Sequence, residues 1–214
     1  RGHLFAFADD NHFELFAAFV LCVRNVEQRS ERDERDDPAA KIDQPVPVHM
    51  AHRLLPDGRR FEHHVVHMKP VAIAVLLNDA DEILMVRRHR FATDEWGYEL
   101  LGGLVETGEE PARAAAREAL EESGWAPSGP PAHLAHFQPL PGMVDAPMDV
   151  YLWREFEKVG EPSDAEEAGE LRWVPLADVP RLIADRDVLG AGTLVALLHL
   201  VAMRAGVEFK PSAS

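Results

Sequence analysis

The chain has 214 residues, 46% of them apolar, and a formal net charge of −15. That length holds one domain with a sizeable core and leaves room for an appendage. The acidic balance argues against a general nucleic-acid or anionic-membrane binder, which carries a basic surface. No apolar run reaches the roughly 18 residues of a membrane span, and no internal repeat is present. The single cysteine, Cys22, leaves no internal disulfide and predicts a reducing, cytoplasmic location.

In the first 28 residues Phe13, Phe16, Phe19, Val20, Val23 and Val26 recur at helical spacing, which predicts an amphipathic helix serving the core or a dimer contact. Residues 28–40 are dense in both charges and read as a solvated linker. Residues 1–44 are therefore set apart as an N-terminal extension. Residues 46–55 and 60–68 predict short strands around the turn Pro56-Asp57-Gly58. They carry His49, His52, His63, His64 and His67, which invites a zinc site. On a strand, however, His63 and His67 share one face while His64 takes the other. No closed ligand pattern supports a metal there, so these histidines read as structural or solvent-facing. Residues 71–77 and 82–88 are the clearest strands, with Asn78-Asp79-Ala80-Asp81 as their turn. Arg87, Arg88 and Arg90 follow, either a clamp for a diphosphate or ordinary surface charge. Trp96 and Tyr98 either stack a base or cover the core.

The stretch 103–125 organises the rest. Gly102, Gly103 and Gly108 mark a loop. Pro111 suits a first helical position, the alanines and leucine that follow favour helix, and Gly124 suits its end. On that helix Glu118, Glu121 and Glu122 share a face. Three carboxylates there repel one another unless a cation intervenes, and hard oxygen donors suit Mg2+ or Mn2+ bound with a substrate phosphate. Arg117 precedes Glu121 by one turn, and Glu109 lies near the helix start, so either acid can hold it. An exposed acidic helix is the plain alternative. Downstream, strands are expected at 132–138, 149–156 and 171–174 and helices at 176–184 and 191–204. An acidic loop spans 157–170, and 207–214 is a tail.

The run Gly103-x5-Glu109-x7-Arg117-Glu118-x-x-Glu121-Glu122-x-Gly124-Trp125 resembles the signature of the Nudix hydrolases at every fixed position and at the family spacing, with Ala119 a small occupant of an apolar place. The resemblance covers about residues 45–206. It implies an α/β (α+β) fold, an α/β/α sandwich around a mixed β-sheet with the signature as loop-helix-loop. The strand pair at 45–68, the approach Trp96-Gly97-Tyr98-Glu99-Leu100-Leu101-Gly102-Gly103 and Pro141 make the chain most similar to the ADP-ribose and nucleotide-sugar pyrophosphatase branch. Leu101 replaces that branch's proline, and Met143-Val144-Asp145 departs from its loop.

By that resemblance Glu118, Glu121, Glu122 and the Gly102 carbonyl bind Mg2+ or Mn2+, with Arg117 and Glu109 orienting them. The general base comes from a distant loop, with Glu167, Glu166 and Asp145 as candidates. Arg88, Arg90, Trp96, Glu99 and Pro141 are the candidate substrate contacts. The expected substrate is ADP-ribose or a similar nucleoside diphosphate sugar, split into a nucleoside monophosphate and a sugar phosphate. Alternatives are another nucleoside diphosphate derivative, a nucleoside triphosphate, or a non-catalytic Nudix-fold binding module. The expected partners are that small molecule and a second copy of the chain in a homodimer, with neither nucleic acid nor membrane.

Overall fold

The computed structural model describes residues 48–54, 57–163 and 169–209, all within one compact unit, Val46–Ser214. The stripe 13–26, Cys22, the linker 28–40 and the residues beyond 209 lie outside the described residues.

Two strands explain most of the architecture. In β3 (Val71–Leu76) and β4 (Glu82–Arg90) successive side chains fall into two different cores. Ala72, Ala74, Leu76, Leu84 and Val86 enter one, while Ile73, Val75, Ile83 and Met85 enter the other. Strands buried on both faces read as continuous apolar runs, which is why this hairpin is the clearest in the sequence. Asn78 closes it, its side-chain oxygen accepting from the N–H groups of Ala80 and Glu82.

The first core lies under α1 (Pro111–Ser123), where Ala114, Ala115 and Ala119 meet Ala72 and Ala74. Small residues on both sides let helix and sheet backbones approach closely. The second lies under α2 (Val179–Ala184) and α3 (Ala191–Arg204) with Val179, Leu182, Ala196, Leu197 and Leu200. The expected α/β/α sandwich is thus observed. The predicted helix 176–184 divides into a 3-10 turn, Leu176–Asp178, and α2.

The strands of the described residues form four sheets. β6 (Leu101–Leu104), β3, β10 (Met148–Trp153) and β8 (Ala132–Phe137) stand in that order, with β3–β10 parallel and the other pairs antiparallel. β12 (Glu170–Pro175), β4 and β5 (Glu95–Glu99) form an antiparallel set. β7 (Trp125–Pro127) pairs with β11 (Phe156–Lys158) beyond the end of α1. β1 (Val48–Leu54) and β2 (Arg60–His67) form the expected antiparallel hairpin, which β9 (Val144–Asp145) joins parallel to β2.

β5, β6, β7, β9 and β11 were not expected. Residues 91–100 lack alternation and include Asp94, Glu95 and Gly97, so nothing local marks β5. Its pairing with β4 and the parallel bridge from Tyr98 to Val188 supply the order. The Leu100 N–H, at the step between β5 and β6, donates to the buried Thr193 hydroxyl at 3.0 Å. That bond ties the approach to the Gly loop to α3.

Candidate active site

Gly102 and Gly103 sit on β6, the edge strand of its sheet. A Cβ on Gly102 would lie 2.5 Å from the Ala72 carbonyl oxygen, so only glycine fits that pairing with β3. Its N–H is turned outward to Glu122 Oε2 at 2.9 Å. In an extended strand the carbonyl shares the edge of its N–H, which puts the Gly102 oxygen on the same side. Gly103 is required for a different reason. A Cβ there would meet the Glu118 carboxyl group at 2.5–2.7 Å, so the missing side chain is the space that carboxylate uses.

The helix brings Arg117, Glu118, Glu121 and Glu122 to this edge as the spacing predicts. Arg117 is the hub. Its Nε and Nη2 donate to Glu109 at 3.1 Å each, and its Nη1 donates to Glu118 at 2.8 Å and Glu121 at 2.9 Å. Nη2 also reaches the Leu104 carbonyl at 3.2 Å, fixing helix to loop. The hydrogen bonds that Glu109 accepts, helped by those to Glu118 and Glu121, hold the Arg117 guanidinium firmly protonated. Glu109 lies before the N-cap Glu110 and faces Arg117, while no acid occupies the first turn of α1.

Those same bonds from Arg117 pull the Glu109 carboxyl below the usual range. The native state then binds fewer protons than the unfolded chain around the ordinary glutamate value of about 4.3. This contribution to stability is complete above that value and is lost as pH falls through the lower folded one. Thermal unfolding should therefore lose more stability between about pH 5 and pH 3 in the wild type than in Glu109→Gln. Equal slopes would mean that the clamp does not bind Glu109 more tightly than water does.

Glu122 is placed differently. Its side chain is only 3% exposed, and Oε1 accepts from Arg88 Nη2 at 2.8 Å, itself 4% exposed. Arg88 Nε lies 3.6 Å from Glu99, and Glu99 is gripped from the other side by Arg90, with Nη2 at 2.6 Å. The line Arg90–Glu99–Arg88–Glu122–Gly102 thus alternates in charge and ends on a backbone N–H. Neither a diphosphate clamp nor ordinary surface charge anticipates the burial of Arg88, which was legible because Leu84, Val86 and Arg88 alternate on one face of β4.

The predicted residues do not all converge. Arg88, Arg90 and Glu99 share the face of the β4–β5 pair that looks toward α1. Trp96 takes the other face with Arg87, whose guanidinium carbon lies 5.4 Å from the ring centroid, and with His89. Tyr98 shares that second face and is buried in the core beneath α2 and α3. Pro141 belongs to a turn docked on β2, where Gly142 accepts from His63 and Met143 accepts from the Val66 N–H. Asp145 is held in the β1–β2–β9 sheet by His67 at 3.1 Å and Gln138 at 2.9 Å. Glu166 and Glu167 lie outside the described residues. Their flanks are anchored at the site: the Ser163 N–H donates to the Glu121 carbonyl at 2.8 Å, and Gly169 packs on Val86 and Arg88.

Sequence reading missed the clasp on the end of α1. Gly124 adopts φ +70, and its carbonyl accepts the N–H groups of Val159 and Gly160. Lys158 Nζ donates to the Ser123 carbonyl at 3.0 Å, a cation where the helix dipole favours one.

The oxygen donors fit a hard divalent cation in kind. Among the described residues no three His, Cys, Asp or Glu side chains form a ready-made ligand shell, and Arg117 and Arg88 engage the glutamates.

This loop-helix-loop with its arginine-bound glutamates agrees with the NUDIX domain pattern, which matches residues 67–195. The chain belongs to the NUDIX family and is a Nudix hydrolase, in a family whose hydrolases generally use divalent metal ions. It is 43% identical over 149 residues to the CMP-5'-(N-acetyl-N-hydroxy-3-aminopropyl)phosphonate hydrolase of Streptomyces rubellomurinus, covering 70% of this chain and 72% of that protein. It is 32% identical to the ADP-ribose pyrophosphatase of Bacillus subtilis, over 68% of this chain and 80% of that one, in keeping with the branch resemblance. A crystal structure of an ADP compounds hydrolase superposes with a TM-score of 0.66 at 20% identity, covering 76% of this chain and 88% of that one, a likeness of fold.

Proposed function

We propose that the protein is a Mg2+-dependent pyrophosphohydrolase that releases a nucleoside monophosphate from a nucleoside 5'-diphosphate derivative, with ADP-ribose or a similar nucleotide sugar as the leading substrate. The observation that carries this reading is the set Glu118, Glu121, Glu122 and the Gly102 edge, gathered at one end of α1 with Arg117 and Arg88 holding the carboxylates. Bound there, Mg2+ (or Mn2+) would neutralise phosphoryl oxygens and lower the pKa of an attacking water. Arg117 and Glu109 keep the helix carboxylates aimed at the Gly loop. Arg90, whose side chain is 42% exposed at the outer end of its line, is the guanidinium that can take a phosphate oxygen. The base that accepts the water's proton is assigned to Glu166 or Glu167, because Ser163 on one flank bonds the Glu121 carbonyl and Gly169 on the other packs on Arg88, the partner of Glu122. Asp145, bonded to His67 and Gln138, is the second choice.

A second reading has its own support. The relative with 43% identity acts, by its name, on a CMP-linked phosphonate, so the leaving group of this chain can be a phosphonate rather than a sugar phosphate. Both readings share a nucleoside monophosphate joined through an anhydride. The exposed Phe61 side chain on the β1–β2 hairpin supports a homodimer contact, and the single cysteine supports a cytoplasmic setting.

The test is Mg2+-dependent turnover of ADP-ribose, other nucleotide sugars, a CMP-linked phosphonate, dinucleotides and nucleoside triphosphates, with products separated by chromatography. AMP release from ADP-ribose is expected. CMP release from the phosphonate alone would select the second reading. Binding without any turnover would overturn both in favour of a binding module.

A further inference from the structure

The buried pair between Arg88 and Glu122 has a consequence for metal affinity. Glu122 uses both carboxylate oxygens within the protein, Oε1 on Arg88 at 2.8 Å and Oε2 on the Gly102 N–H at 2.9 Å. A cation that coordinates this carboxylate must share it with a guanidinium or displace it. Because Arg88 and Glu122 are 4% and 3% exposed, water cannot screen that exchange. The displaced guanidinium has somewhere to go, since Glu99 stands 3.6 Å from its Nε and is 12% exposed.

We propose that Arg88 is a positioning residue whose ion pair competes with the metal for Glu122, so that the strength of the pair sets how tightly the site holds its cation. Arg88 holds the carboxylate in place without metal and yields toward Glu99 when the cation arrives. An effect of metal on the pair requires an equal effect of the pair on metal.

The inference rests on Glu122 being a metal donor, and the experiment separates the two ideas. Mn2+ affinity would be measured by calorimetry and by electron paramagnetic resonance, without substrate, for the wild type, Arg88→Gln, Glu122→Gln and Arg87→Gln. Arg88→Gln is expected to bind Mn2+ about tenfold more tightly, a coupling of ordinary size. Arg87→Gln, on the opposite face of β4, is expected to match the wild type. Weakened binding in Glu122→Gln with unchanged or weaker binding in Arg88→Gln overturns the competition and keeps the donor. Unchanged binding in Glu122→Gln overturns the donor and the competition with it.

A wild-type measurement covers the case in which Arg88→Gln does not fold. The assigned Nε–Hε resonance of Arg88 is expected to shift during a Mg2+ titration, at the concentrations where the ion binds. A resonance that stays fixed while Mg2+ binds overturns the proposal.

Discussion

Glu122→Ala should lower the stability of the metal-free protein by about 3 kcal/mol, near the lower end of what breaking a buried ion pair costs. The substitution removes the 2.8 Å contact of a guanidinium that is 4% exposed and cannot turn to water instead. It also takes the acceptor from the Gly102 N–H, on an edge where β3 offers none. Glu99, 3.6 Å from Arg88 Nε, is the reason for choosing the lower figure. Glu122→Gln should cost roughly half as much, since its amide oxygen still accepts from one of the two donors. Urea unfolding without added metal measures both. A loss below about 1 kcal/mol for Glu122→Ala would show that the pair contributes little beyond what water provides.

Gly103→Ala should do the reverse, leaving stability nearly intact while removing most turnover. The added Cβ would press on the Glu118 carboxyl group at 2.5–2.7 Å, the far end of a flexible side chain, so that side chain moves and the backbone stays. The stability change should stay within about 1 kcal/mol, but the carboxylate proposed to hold the metal would be displaced by about an ångström. Turnover should fall about a hundredfold, because misplacement on that scale costs roughly two orders of magnitude. Steady-state kinetics beside a melting curve would check it. Wild-type kcat/KM in Gly103→Ala would mean that the Glu118 carboxylate does not need the space beside this glycine.

Most of the candidate site's geometry was legible because it is local. The glutamates, Arg117 and the Gly loop lie within a single loop and helix, where helical periodicity alone puts Arg117 against Glu121 and Glu118 beside it. The β3–β4 hairpin was equally clear, since each strand is buried on both faces and bounded by a turn. What escaped was held by distant partners. Arg88 meets Glu122 across 34 positions, and Leu100 meets Thr193 across 93. Strands of two or three residues, such as β9 and β11, have no periodicity to detect and exist through their neighbours. Trp96 illustrates a different limit. Proximity in sequence to the Gly loop suggested a substrate contact, but strand alternation turns its ring to the face opposite Arg88 and Glu99.

That alternation along β4 also restricts how this enzyme can vary in length. Deleting or adding one residue within 82–90 would exchange the two faces from that point onward. A change before Arg87 would turn Arg87 and His89 toward α1 and deliver Arg88 to the far side, away from Glu122. The hairpin tip at 91–94 carries no such parity, and a change of length there leaves every outgoing side chain of β4 on its own face. Diversification of this hairpin is thus channelled to its tip, where new loops can be tried while the reading frame of the arginines is kept.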